Sequence, residues 1–418
     1  MDNNYFTYRD GRLHCESVSL RALAERVGTP TYIYSKAALL DGFAAYDRAF
    51  AAVPHLICYA VKANANLAVI ATLARAGAGA DIVSGGELFR CLRAGVPPRK
   101  IIFSGIGKTR DEMREALKAD ILMFNVESTG ELSALDEVAR EMGVRAPVAL
   151  RVNPDVDPQT HPYIATGLRT SKFGIPIAEA LGVYEDARTM AGIELVGAQM
   201  HIGSQLTKSL PFGDAVARVA SLVKALRERA IEVKIVDVGG GLGIRYRDET
   251  PPTHAEYAMV LLPALRELGV TVLLEPGRSI AGNAGILLTR VLYRKETPDK
   301  KFVVVDAAMN DLMRPSFYDS WHEMTPVDAA RLGGPFEKVD VVGPVCESGD
   351  FLARDRELPR VEEGDLVAVM SAGAYGFAMA SNYNARPRAA EVLVDGARDT
   401  VVRRRETYDD LISGETIL

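Results

Sequence analysis

The sequence predicts an α/β fold: a (β/α)8 TIM barrel followed by a C-terminal β-sandwich or β-barrel domain. Three observations predict it. From residue 54, short apolar runs alternate with amphipathic helical patterns, at 55–61, 80–84, 100–104, 121–126, 147–152, 195–202, 232–238 and 271–275. Alternating units of this kind imply a parallel sheet, and eight of them over this span suit a closed barrel. No GxGxxG follows the first run, which disfavours an open doubly wound sheet. After about residue 280 the pattern turns to strand-like runs punctuated by glycine and proline.

Each element has a local reason. Thr31-Tyr32-Ile33-Tyr34 is β-branched and aromatic, and Ser35 reads as the N-cap of a helix with Leu39, Leu40, Phe43, Tyr46 and Phe50 at helical spacing. Between the apolar runs, 65–77, 85–94, 110–118, 128–142, 177–190, 211–230 and 254–268 carry apolar residues three and four apart. Beyond the barrel, 291–293, 301–305, 338–342, 365–369 and 390–394 read as strands. The expected division is 1–36 as a segment joining the β domain, 37–280 as the barrel and 281–418 as the β domain.

Composition narrows the class of protein. The 418 residues are 48% hydrophobic and 25% charged, as in an ordinary globular chain. A formal net charge of −6 without a basic stripe argues against nucleic acid as a partner. The polar start Met1-Asp2-Asn3-Asn4-Tyr5 has neither signal nor transit character, and no apolar run is long enough to span a membrane. The four cysteines form no CxxC pair, so reduced thiols and a cytoplasmic location are expected.

Active sites of such barrels lie at the C-terminal ends of the strands. The runs end, in order, in Lys62, Ser84-Gly85-Gly86-Glu87, Ser104-Gly105, Asn125 and Glu127, Arg151 and Asn153, His201 through Gln205, Asp237 through Gly243, and Glu275-Pro276-Gly277-Arg278. Polar groups at every end describe a convergent site. Lys62, leaving an apolar strand, can be a desolvated amine that forms a Schiff base; read alone it can also be a surface lysine. Gly239-Gly240-Gly241 allows close backbone approach and an anion nest, or is an ordinary glycine turn. Glu275 could hold a protonated pyridine nitrogen or pair with Arg278. His201 could stack on a ring or serve structure alone. A lysine, a phosphate cradle, a ring-nitrogen partner and a stacking group together describe pyridoxal 5′-phosphate.

The β domain adds three constellations. Arg314, within Asp306–Tyr318, suits a carboxylate. Cys346, in Val345-Cys346-Glu347-Ser348-Gly349-Asp350, sits among acids that disfavour thiolate, so it can act as a protonated acid or be a small buried hydrophobe. Tyr375 lies between glycines and can be a site residue or an aromatic in a turn.

Tyr-Ala-Val-Lys-Ala-Asn at 59–64, His-Ile-Gly-Ser-Gln at 201–205, Gly-Gly-Gly-Leu-Gly-Ile at 239–244, Glu-Pro-Gly-Arg at 275–278, Cys-Glu-Ser-Gly-Asp at 346–350 and Ala374-Tyr375-Gly376-Phe377 through Asn384 occur in one order. That ordered set resembles the diaminopimelate decarboxylases, of the alanine-racemase-like fold-type III PLP enzymes, from residue 28 to about 394. The resemblance implies that Lys62 carries the cofactor as an internal aldimine, with Glu275 on the pyridine nitrogen and His201 on the ring. It implies that Ser204, Gly239, Gly240, Gly241, Gly277, Arg278 and Tyr375 surround the phosphate. Arg278, Arg314, Tyr318, Glu347 and Tyr375 would contact substrate, and Cys346 would protonate the carbanion carbon. It further implies a head-to-tail homodimer with shared sites, and conversion of meso-2,6-diaminopimelate to L-lysine and CO2 at the end of lysine biosynthesis. Ala308, for an expected glycine, and Ser371, for an expected acid, depart from the pattern away from these roles. The alternatives are a sister decarboxylase of arginine, ornithine, D-lysine or carboxynorspermidine, a racemase, a non-catalytic PLP carrier and a plain metabolite-binding module.

Overall fold

In the computed structural model, residues 4–157, 166 and 171–418 are described. They fall into two compact units. One comprises Asp41–Ile244 and Thr250–Ser279; the other takes in the chain up to Leu40, with Arg245–Glu249 and Ile280–Leu418.

The first unit is the closed parallel barrel. Its eight strands are His55–Ala60, Gly79–Ile82, Ile101–Phe103, Met123–Val126, Ala146–Asn153, Ile193–Gln199, Ile235–Asp237 and Thr271–Leu274. Each pairs in parallel with the next, and Thr271–Leu274 closes the ring on His55–Ala60, with Val272 opposite His55. Every strand coincides with one of the apolar runs read from the sequence. A buried cluster of Cys58, Ile102, Met123, Ala149 and Leu273 joins five of the strands. The barrel is thus a packed core, which leaves its strand ends as the place for chemistry. Helix starts are fixed locally: Thr109 and Thr253 each form a capping box, with Glu112 and Glu256 respectively.

The second unit is built on a mostly antiparallel sheet. Thr31–Ser35, from the N-terminal segment, runs antiparallel to Gly285–Glu296 and parallel to Ala390–Asp395. The early strand therefore does join the later ones, and Ser35 caps the next helix by accepting from Ala38 N at 3.1 Å. Lys301–Val305, Phe336–Val342 and Phe351–Pro359 extend the sheet on one side and Arg398–Arg403 on the other. Ile33, Ile286, Leu288, Ala368, Val392 and Val394 form its buried core with Leu20 and Leu23.

Phe351–Pro359 and Arg398–Arg403 escape sequence reading for physical reasons. The first carries Arg354, Asp355, Arg356 and Glu357, and its alternation is broken where Asp355 takes a left-handed φ of 46° beside a register shift. The second is an edge strand with no buried side chain, so no apolar period marks it.

Candidate active site

At the mouth of the barrel, Lys62 follows the first strand in a short turn, Val61–Ala63. Its Nζ lies 2.5 Å from Oδ2 of Asp81, which is fully buried on the second strand. That contact is not what a plain surface lysine makes. Asp81 was passed over in the sequence because it interrupts the run Ala78-Gly79-Ala80-Asp81-Ile82 from within rather than ending it. A charge inside an apolar strand is the signal that could have found it.

Glu275 and Asp237 extend this acidic floor and are hydrogen-bonded to each other. Three neutral donors converge on Glu275 Oε1: Ser104 Oγ at 3.3 Å, Asn125 Nδ2 at 3.2 Å and Gln199 Nε2 at 3.2 Å. Asn125 Nδ2 also reaches Asp237 Oδ2 at 3.1 Å. Burial, then the charges of Asp237 and Asp81, push the Glu275 carboxyl well above the usual carboxylate range, against the pull of Lys62. Burial pushes Asp237 up to about 6. Asp81 Oδ1, Asn125 Oδ1 and Gln199 Oε1 are buried with no hydrogen-bond partner among the described residues. Buried carboxylates of this number beside one lysine form a receptor for further positive charge.

The Asp237 shift has a testable sign. A carboxyl whose folded-state value is raised contributes stability that is full below its ordinary value of 3.8 and is lost as pH rises through about 6. Asp237→Asn cannot titrate. In cofactor-free protein, the variant's unfolding midpoint relative to wild type should therefore rise as pH is raised across that interval. A difference that stays flat from about 3.8 to about 6 would contradict the buried-acid account.

Strands six to eight supply the glycine turns. Gly239 and Gly241 have φ of +70° and +111°, and a Cβ on Gly241 would lie 2.4 Å from Gly203 O. A Cβ on Gly240 would lie 2.2 Å from Glu275 O, and one on Gly277 would lie 2.9 Å from Ala63 Cβ. Side chains are thus excluded where these backbones cross: Gly239 and Gly241 lie against Met200–Gly203, Gly240 against Glu275, and Gly277 against Ala60 and Ala63. Gly240 N–H donates to His201 Nδ1 at 3.1 Å, so that nitrogen bears no hydrogen in this contact. Burial, with Arg151 and Lys62 nearby, keeps the imidazole neutral by holding its pKa well below the ordinary value. Buried Arg278 donates to Ser204 Oγ through Nε at 3.3 Å and Nη2 at 3.0 Å. Lys62, His201, Ser204, Gly239, Gly240, Gly241, Glu275, Gly277 and Arg278 are therefore all at one end of one barrel.

The remaining predicted residues belong to the other unit. Arg314 and Tyr318 begin and end the helix Arg314–Tyr318, with Arg314 buried. Ser316 Oγ in that helix donates to Gly349 O at 2.6 Å, which ties the helix to the Cys346–Asp350 turn. Asp350 organises the turn by accepting Val345 N and Met309 N, each at 2.7 Å. Cys346 is exposed and its backbone N–H donates to Asn384 Oδ1 at 2.8 Å, so it is not a buried hydrophobe. Glu347 is also exposed and hydrogen-bonds Tyr383. Tyr375 takes a left-handed φ of 55°, uncommon for an aromatic residue and a mark of an imposed conformation. Gly376, beside it, has room for no side chain: a Cβ would lie 2.5 Å from Ala372 O.

A lysine over buried acids at the mouth of a barrel, beside a glycine cradle, is the kind of site a pyridoxal enzyme requires. Residues 37–282 match the family described as pyridoxal-dependent decarboxylase, pyridoxal binding domain, and the chain belongs to it. The chain is 55% identical over 416 residues to a diaminopimelate decarboxylase of Pseudomonas aeruginosa, covering 99% of each chain. It superposes with a TM-score of 0.94 on a diaminopimelate decarboxylase of M. jannaschii in co-complex with L-lysine, at 40% identity, covering 100% of this chain and 98% of that one. A lysine/ornithine decarboxylase of Vibrio vulnificus complexed with cadaverine matches at a TM-score of 0.80 and 25% identity, over 90% of this chain and 96% of that one. Within the family, the chain's place is among the diaminopimelate decarboxylases.

Proposed function

We propose that the protein decarboxylates meso-2,6-diaminopimelate to L-lysine and CO2, the last step of lysine biosynthesis, with pyridoxal 5′-phosphate as cofactor. The observation that carries this reading is Lys62 Nζ set 2.5 Å from Asp81, on a floor shared with Asp237 and Glu275. The cofactor presents an aldehyde, a basic ring nitrogen and a phosphate. The barrel mouth offers an amine, buried acids of which Asp81 keeps one oxygen without a hydrogen bond among the described residues, and a glycine cradle with an arginine, so the residues present fit the group.

Lys62 Nζ would hold the aldehyde carbon, with Asp81 Oδ2 positioning the amine. Glu275, braced by Ser104, Asn125 and Gln199, would keep a proton on the ring nitrogen. His201, fixed by Gly240, would lie against the ring, and Ser204, Gly239, Gly240, Gly241, Gly277, Arg278 and Tyr375 would surround the phosphate. When bound, the cofactor supplies an electron sink for the pair left behind as CO2 departs. Arg278, Arg314, Tyr318, Glu347 and Tyr375 would contact substrate, with Arg314 on the far carboxylate. Cys346 Sγ–H would deliver the proton to the carbon that lost CO2.

Exposure of Cys346 and Glu347 on a single chain supports a head-to-tail homodimer in which they serve the partner's site. We take 37–280 as the cofactor-binding domain, and 1–36 with 281–418 as the β domain. A cytoplasmic location agrees with the finding that no helix among the described residues is long and apolar enough to cross a membrane. The full-length likeness to named diaminopimelate decarboxylases supports the substrate over those of the sister enzymes. Incubating PLP-loaded protein with meso-2,6-diaminopimelate tests the reading: CO2 and L-lysine in equal amounts are expected, and release of neither would refute it.

A further inference from the structure

Arg314 is gripped from three sides. Its guanidinium lies 4.6 Å from the centre of the Tyr246 ring, Nη2 donates to Ser320 Oγ at 3.3 Å, and Nη1 is 2.8 Å from His322 Nε2. His322 is completely buried, and its Nδ1 lies 2.8 Å from the carbonyl of Met370. A carbonyl oxygen only accepts, so Nδ1 carries the hydrogen; a guanidinium only donates, so Nε2 is the bare lone pair. Only the neutral ring in that one tautomer satisfies both contacts. A protonated ring would set N–H against N–H.

The two ring contacts, to Met370 O and to Arg314 Nη1, make Nε2 the acceptor, and the segments around His322 are rich in cations. Arg356, from the strand Phe351–Pro359, donates through Nη1 to the His322 carbonyl at 2.6 Å. Trp321 lies against Arg356 and Arg247, whose charged groups are 3.2 Å and 4.3 Å from its ring centre. Tyr246 approaches His322 edge-on, with ring centres 5.3 Å apart, and Glu323 follows in the chain. Cations therefore approach from the Arg314 helix, the Phe351–Pro359 strand and the Arg245–Glu249 segment, and the imidazole nitrogen offers its lone pair to one of them.

We infer that His322 is a positioning residue: with Tyr246 against the guanidinium, it turns Arg314 toward the carboxylate at the far end of the substrate. This rests on the role proposed for Arg314. Arginine has a long flexible stem, and its planar fork engages a carboxylate well only when held at the right angle. His322 sets that angle without touching substrate, and so governs which diamines bind rather than how fast they react.

The test uses the PLP-loaded enzyme and two inhibitors. L-lysine carries the carboxylate that the substrate keeps; 1,5-diaminopentane is L-lysine without it. His322→Asn keeps an amide near the Met370 carbonyl but is too short to accept from Arg314. It should raise KM for meso-2,6-diaminopimelate and Ki for L-lysine by about 10-fold, leaving kcat and the Ki of 1,5-diaminopentane within about twofold. His322→Gln reaches the Nε2 position with an acceptor and should recover most of the loss. Should the Asn variant not fold, Tyr246→Leu removes the ring face against Arg314 and should give the same split. Equal weakening of both inhibitors, or of neither, would overturn the inference and leave His322 a purely structural residue. Arg314→Met with an unchanged Ki for L-lysine would overturn it by removing the role of Arg314. Failure of the broader functional reading shows separately, as absence of CO2 release by wild type.

Discussion

Lys62→Ala is expected to abolish the long-wavelength absorbance of bound PLP and to lower turnover of meso-2,6-diaminopimelate by on the order of 10^4-fold or more. Lys62 is the amine that meets the acidic floor, and no alanine can hold an aldehyde carbon. The substitution also strips Asp81 of its charge partner, and a buried carboxylate left alone is costly. Lost stability and lost chemistry must therefore be separated. Lys62→Ala combined with Asp81→Asn should restore the unfolding midpoint, because the orphaned charge is gone, while turnover stays at the Lys62→Ala level. Recovery of turnover along with stability would show that Lys62 serves the fold alone.

Cys346→Ala should lower kcat by about 10^2- to 10^4-fold, the usual contribution of a positioned proton donor, with PLP absorbance unchanged. The structure makes this a clean substitution. The turn is held by backbone groups of Val345 and Cys346, through Asp350 and Asn384, and the Cys346 thiol is free and exposed. Removing the thiol thus removes the acid and little else. Cys346→Ser keeps a hydroxyl of higher pKa and should fall between the two. Wild-type kcat in the alanine variant would move the proton-donor role to another group.

How much of this was legible in the sequence follows from where each signal lives. The barrel was, because most of its strand residues are buried and read as largely apolar runs. Lys62, His201, Glu275 and Arg278 were visible because they stand at or just past the C-terminal ends of those runs, where a polar residue has no packing purpose. Asp81 and Gln199 were missed as site residues because they lie within strands, inside the span that periodicity assigns to the core. Tyr246 and His322 were missed for a different reason: each is an unremarkable residue in its own segment. Their meaning comes from Arg314, which is 68 and 8 positions away in the chain respectively. In the β domain, charged strands such as Phe351–Pro359 hid because their pairing owes more to register and bulges than to an alternating apolar face.

The central claim is that this site decarboxylates one amino acid, meso-2,6-diaminopimelate. CO2 release measured in parallel on that compound and on L-lysine, L-arginine, L-ornithine and D-lysine tests it most directly. The account predicts release from meso-2,6-diaminopimelate alone, because a substrate lacking the far amino-carboxylate pair offers no carboxylate to the buried Arg314. Comparable release from L-ornithine, L-arginine or either lysine would contradict it and place the chain with the sister decarboxylases.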